Sequence, residues 1–323
     1  FVNFADLNLD HVTVSDSLTE GASVGGVSVR NGNLSLTSST VTRNSTDRNV
    51  GGLWVAGGNL DLINSTISDN SARTAGGAAL TYASSGGIGG SLYMIDSTVS
   101  GNSASDAAGG LTIRIGEGQT TSIFDSTFSN NSTITGSGGA LYILSPDVEM
   151  TNVVVTGNSS NSGSRGGGGI FLGTGNMTLT NLTVSGNWAR QSGGGLFVRA
   201  TNLTLNDSRI INNSLVGDSD DLASGGGGLM LYGGDFTINN TTISGNSSES
   251  TDFGVRGGGI AAALANLSLH NSTVSGNSNA GDAEGGGLHL IQGSNAVLVH
   301  TTVANNTAVS GADGIHIAPP SQF

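Results

Sequence analysis

The chain has no cysteine. It therefore carries neither a disulfide framework nor a thiolate metal site, and cysteine usage leaves the redox compartment unmarked. Lysine is absent as well; the ten basic residues are all arginine, set against 23 acidic side chains for a formal charge of −13. That balance argues against nucleic acid and against an anionic membrane surface as partners. Proline occurs three times and aromatic residues make up 5% of the chain, so the interior must be filled with aliphatic side chains. No run approaches the roughly 18 apolar residues of a membrane span. No signal peptide is visible, but the chain opens on Phe1 rather than Met, and an earlier segment is expected to have been removed or left out.

What is abundant is glycine, 54 of 323 residues, at fixed places within a repeat. A short phrase such as Asn271-Ser272-Thr273-Val274-Ser275-Gly276-Asn277 returns ten times, closing on Asn44, Asn70, Asn102, Asn131, Asn158, Asn187, Asn213, Asn246, Asn277 and Asn306. The average spacing is about 29 residues, inside the window of roughly 20 to 50 that marks solenoids and propellers. A repeat running from end to end predicts a single elongated domain over residues 1–323, with incomplete coils at both ends.

Each repeat holds three short segments that alternate apolar and polar residues, the period of strands with one buried face. One follows a glycine pair, as in Gly195-Leu196-Phe197-Val198; one reads Asn-Leu-x-Leu, as at Asn202 to Leu205; one reads Ser-Thr-Val/Ile-Ser, as at Ser65 to Ser68. No segment has a helical period. The expected fold is all-β, a right-handed single-stranded parallel β-helix of about eleven coils. Its buried columns would be Leu34, Leu60, Leu92, Leu203 and Leu267, with Leu36, Leu62, Met94, Leu205 and Leu269, and a third running from Val41 through Phe128 to Val303. The ten asparagines would stack as an internal ladder, amide on amide. Asn64, Asp96, Asp125, Asn152, Asn181, Asp207, Asn240 and Asn271 would form a second column of the same kind. Both columns contain glycosylation sequons, at Asn44 and Asn271 for example, which the repeat itself generates.

These motifs resemble bacterial right-handed β-helix repeat proteins, in particular the passenger domains of the chlamydial polymorphic outer membrane proteins. Gly138-Gly139-Ala140-Leu141 and Phe128-Ser129-Asn130-Asn131 match that family's Gly-Gly-Ala-Ile/Leu/Val and Phe-x-x-Asn repeats literally, while other coils carry Val or Ile for Phe and Gly for Ala. The resemblance implies a secreted or surface-displayed β-helix with adhesive or structural duty. Other β-helices act on polysaccharides, through aspartates that hold Ca²⁺ or perform acid/base work. The sequence offers only one tight acidic group, Asp218, Asp220 and Asp221, as a calcium site; no catalytic residue is assigned.

Two outward rows are expected to make contacts. Trp54, Tyr142, Phe171, Phe197 and Met230 lie between buried positions of the first segment, an arrangement that could stack sugars, meet a neighbouring fibre or lie beneath the glycine-serine loops. Thr13, Thr40, Thr66, Thr98, Thr127, Thr183, Thr242, Thr273 and Thr302 form a flat array that resembles those of ice-binding β-helices, interrupted by Val154 and Arg209. His289 and His316 occupy equivalent outward positions. At the ends, Phe4, Leu7, Leu9, Val12 and Val14 read as a coil lacking its first segment. Gly314, Ile315 and Ile317 read as a first segment lacking its successors. One subunit could thus complete its neighbour's coil in a head-to-tail fibre, with Pro319, Pro320 and Phe323 crossing the junction. The expectation is a non-catalytic extracellular structural protein or adhesin, with self-association or surface glycans as partners; a β-helical polysaccharide lyase or glycoside hydrolase and an ice-binding protein are the alternatives.

Overall fold

The structure, a computed structural model of the chain, describes residues 1–81, 89–163, 166–217, 224–249, 256–280, 284–291 and 293–318. Every strand among them pairs in parallel with its counterpart one coil away, in three sheets of 20, 11 and 11 strands. The all-β solenoid read from the sequence is the fold. The first two segments of each repeat share the wide 20-stranded sheet, and in Leu196–Asn206, Leu229–Asn239 and Ile260–His270 they fuse into one strand. The Ser-Thr-Val-Ser segments build the second, threonine sheet. A narrow third sheet follows the ladder asparagine, in strands of two or three residues such as Ser71–Ala72. Two residues carry no period, so the sequence reading left this face as a turn.

The core columns are those expected. Leu7, Leu34, Leu60 and Leu92 are in register, as are Val14, Val41, Ile67, Val99 and Phe128. Leu34, Leu36, Val41, Met94 and Phe128 have no exposed surface. Only the outermost coils depart: Val2, Leu7, Leu9, Val14, Leu298 and Val303 are partly buried against the core.

The recurring phrase folds as two sharp bends around a three-residue strand. At the first bend the residue sits in the left-handed region, φ 48° at Asn64, 58° at Asn152 and 49° at Asn271, a conformation that asparagine, aspartate and glycine tolerate best. This column, expected inside, is exposed. It supplies the bend rather than an internal ladder, and its bonds run only between some neighbours, as from Asn152 Nδ2 to Asp125 Oδ1 at 2.7 Å. The buried polar position is the next residue, where the backbone N–H of Ser39, Ser65 and Ser97 donates to the hydroxyl of Ser65, Ser97 and Ser126. Val153 and Leu182 interrupt that hydroxyl column and join the apolar core instead.

The second bend is again left-handed, at Gly157, Gly186 and Gly276 or at Arg43, whose φ is 54°. Arg43 is tied across the coil to Asp16 by two hydrogen bonds of 2.7 and 2.8 Å, which hold the Asp16 carboxyl down at about 2. The ladder asparagine follows. Each backbone N–H and each Nδ2 donates to the next asparagine's Oδ1, and each Nδ2 also donates to a carbonyl of the preceding coil's threonine strand. For Asn70 these bonds are 3.0 Å to Asn102 Oδ1 from both donors and 3.0 Å to Val41 O. The pattern repeats without a gap from Asn44 to Asn306. A buried amide is therefore saturated at every step.

At the two ends the structure fills in what the sequence left open. Val2–Asn3 pairs with Val29 and Arg30, so the first coil does hold a short piece of its first segment, where none was expected. Phe4 is exposed, with φ 56°. Ile315–Ile317 pairs with Leu288–Leu290 and remains exposed at Ile315 and Ile317. Pro319, Pro320 and Phe323 lie outside the described residues.

Candidate functional site

The expected contact row is assembled and then covered. Tyr142, Phe171, Phe197 and Met230 stand in register in consecutive coils, with ring centroids 4.9 and 5.3 Å apart in near-parallel stacks. Phe197 and Met230 have no exposed surface and Phe171 has 7%. With Ala261, Ala263 and Ile291 they form a second apolar cluster on the outer side of the wide sheet. Beside the row, the glycine three residues before a first segment takes a left-handed turn and lies against the strand it introduces, at Gly138, Gly193, Gly226 and Gly257. At Gly193, φ 56°, a Cβ would lie 2.4 Å from Leu196 O and 2.9 Å from Phe197 N. The row is interior packing rather than an open stripe. Trp54, half-buried, donates from Nε1 to Thr81 at 3.0 Å and carries the Arg30 guanidinium 4.7 Å over its ring.

His289 belongs to the same covered column. It is buried, its ring 4.8 Å from that of His316, and its Nδ1 meets Glu284 O at 2.8 Å, while His316 pairs with the Glu284 carboxylate. The pair was expected at the surface; His289 is instead buried, with Gly285 packed against it, while His316 stays partly exposed. Burial first, then the neighbouring His316 and Arg256, push the His289 imidazole down to about 4 against the bonded carbonyl of Glu284. A folded-state value below the unfolded 6.5 means that the unfolded chain takes up the proton first. The stabilisation is complete above about pH 6.5 and is lost as pH falls towards 4, by up to about 3 kcal/mol. Hydrogen-exchange protection, taken relative to the intrinsic amide rate at each pH, should fall between pH 7 and pH 4.5 more in Leu288–Leu290 and Ile315–Ile317 than in Leu60–Ile63, and His289→Gln should remove that difference. Equal loss of protection throughout would refute it.

The threonine row is in register and half-exposed, broken at Val154 and Arg209 as the sequence indicates. The hydroxyls two residues on bond in part to one another, as Thr42 to Ser68 at 2.9 Å. Asp218, Asp220 and Asp221 lie outside the described residues. The sequons divide by column: Asn44 is fully buried in the ladder, whereas Asn271 is exposed.

An exposed aromatic site occurs where the sequence reading did not look, on the outer face of the second segments. Asp61, Tyr93, Ser122, Glu149 and Thr178 form one column, and Ile63, Ile95, Phe124 and Thr151 the column beside it. Tyr93 is 41% exposed, and its ring centroid lies 6.0 Å from that of Phe124 at an angle of 53°. Burial raises the Asp61 carboxyl above its ordinary value. Alongside runs an open groove of about 290 Å³ lined by Thr120, Ser122, Asp147, Glu149, Asn176 and Thr178. Asn176 donates to Asp147 Oδ1 at 3.3 Å and accepts from Asn202 at 3.1 Å, so the groove wall is a carboxamide row in coil register. The signal was present in Leu92-Tyr93-Met94-Ile95, whose alternation puts Tyr93 outward.

No family model and no curated protein sequence matches this chain. Among solved structures, the crystal structure of the TibC-catalyzed hyper-glycosylated TibA55-350 fragment is similar over 94% of this chain and 99% of its own, at 16% identity and a TM-score of 0.20, too low a score to bear on function.

Proposed function

We propose that the chain is a non-catalytic extracellular rod, an adhesive or structural β-helix that presents its outer faces to surface partners. The reading is supported above all by the unbroken register of the coils. Eleven strands at roughly 4.8 Å per step give a rod near 50 Å long, on which any column of side chains is a straight line. Such a line suits many weak contacts along an extended partner, whose combined strength exceeds that of any one contact. Beads coated with the purified chain should adhere saturably to cell or matrix surfaces and be displaced by soluble chain; adhesion no better than that of bare beads would sink the reading. Release of reducing or unsaturated sugar ends from polysaccharides, with or without Ca²⁺, would replace it with a lyase or hydrolase.

Head-to-tail association of the polypeptide 1–323 is a second reading. It is favoured by the half-buried Leu7, Leu9 and Val14 at one end and the exposed Ile315 and Ile317 at the other, in the columns of one continuous core. Strand edges of this kind invite further pairing. Negative-stain microscopy across a dilution series should give filaments that disappear when the chain is cut before Gly314; single rods at every concentration would exclude it.

A further inference from the structure

We infer that the outer face of the wide sheet around Tyr93 and Phe124 is a binding platform for a neutral, hydroxyl-rich polysaccharide. The inference rests on the adhesive reading and names its ligand class. Ile63, Ile95 and Phe124 are successive in one column and Tyr93 stands beside them, on a face whose other outward residues are mainly Ser, Thr, Asn and Asp. Exposing such a group costs free energy and marks a contact site. Unlike the covered row at Phe197, Tyr93 keeps 41% of its surface.

The chemistry around the rings selects the partner. Sugars offer an apolar C–H face to an aromatic ring and hydroxyls at their rim, and a site for them combines a flat apolar surface with a few placed polar groups. Here the groove beside Tyr93 supplies hydroxyls from Ser122 and Thr178, carboxylates from Asp147 and Glu149 and the amide of Asn176. A carboxylate accepts a sugar hydroxyl as a strong, charge-assisted bond. The charged groups in these columns, Asp61, Asp147 and Glu149, are all acidic, and no arginine stands among them. That charge repels uronates and other anionic glycans. Four apolar side chains between polar columns are also far short of the area, about 800 Å² on each partner, that a stable protein interface buries. The in-register columns run along the rod, so the platform favours a chain over a single sugar.

Affinity electrophoresis through gels containing soluble β-glucan, xylan or mannan tests this, with polygalacturonate as the acidic comparison. The intact chain should be retarded by at least one neutral polymer and not by polygalacturonate. Tyr93→Ala should weaken retardation at least about tenfold, and Ser122→Arg, at a partly exposed outward position of its strand, should abolish it at an unchanged melting temperature. No retardation by any neutral polymer, or retardation indifferent to both variants, overturns the inference. If beads adhere to surfaces yet Ser122→Arg changes nothing, the platform fails and the adhesive reading stands. If polymers retard the chain through Tyr93 but beads do not adhere, the platform stands and the adhesive reading fails.

Discussion

Asn158→Asp is expected to destabilise the rod by about 3 to 5 kcal/mol at pH 7, far more than the same exchange at Asn152, six residues earlier. Asn158 is 1% exposed. Its Nδ2 donates to Phe128 O, Thr156 O and Asn187 Oδ1 at 3.1, 3.0 and 2.9 Å, and its Oδ1 accepts from Asn131 N and Nδ2 at 2.9 and 3.0 Å. A carboxylate keeps the accepting half but sets a charged oxygen against three others. Burial and these acceptors must raise the pKa of the introduced carboxyl above its unfolded value near 3.9. The folded state then holds its proton more tightly than the unfolded state, and the deficit shrinks as pH falls towards 4. Asn152 is exposed, and aspartate accepts the same left-handed turn; its exchange gives up the bond to Asp125 and sets two carboxylates side by side, but water screens the pair and the cost is held to about 1 kcal/mol. Solenoids lose two-state behaviour readily, so the comparison is best made on urea midpoints together with exchange of the Asn131 amide. Equal midpoints for the two variants would overturn the ladder's role.

Gly168→Ala is expected to cost more than about 3 kcal/mol, and Gly169→Ala about 1 to 2. The two glycines open the same first segment, but their surroundings differ. A Cβ on Gly168 would lie 2.1 Å from Gly194 O and 2.4 Å from Trp188 O, backbone on both sides. Nothing there can yield without opening two coils. A Cβ on Gly169 would meet Gly195 O at 2.9 Å, Val155 Cγ1 at 3.0 Å and Asn187 Cγ at 3.1 Å, and the chain tolerates a methyl at the equivalent Ala140, which is fully buried. Soluble yield and melting temperature of the two variants decide the matter; equal losses would show that the glycine pair is not divided in this way.

The core of this fold was legible because it obeys periods. Alternation in Leu34-Ser35-Leu36 fixes which side chains point inward, and a polar residue recurring at one bend must solve its hydrogen bonding with its own copies. What lay outside the strands was less legible. Alternation places Phe197 and Tyr93 alike on the outer face, yet the first is packed in an apolar cluster and the second is exposed. Likewise, Asn64 and Asn70 read alike in sequence, but the left-handed bend turns the first to solvent and the second to its neighbours. The narrow sheet escaped because two residues have no period to detect. The ladder, by contrast, was predictable to the residue, since one amide type satisfies every donor and acceptor of the step.

The ladder also sets the terms on which the rod can change its length. Its steps span 26 residues from Asn44 to Asn70, 32 to Asn102 and 33 from Asn213 to Asn246, yet each step makes the same bonds. All of this slack lies outside the stretch from the first bend to the ladder asparagine, which is seven residues long from Asn64 to Asn70 and again from Asn271 to Asn277. Excising the chain between two ladder asparagines would therefore rejoin an identical step, with glycine, hydroxyl and aliphatic columns realigned together. Gene-level gain or loss of a whole coil is a change this architecture can absorb without repacking, so reach becomes heritable separately from surface chemistry.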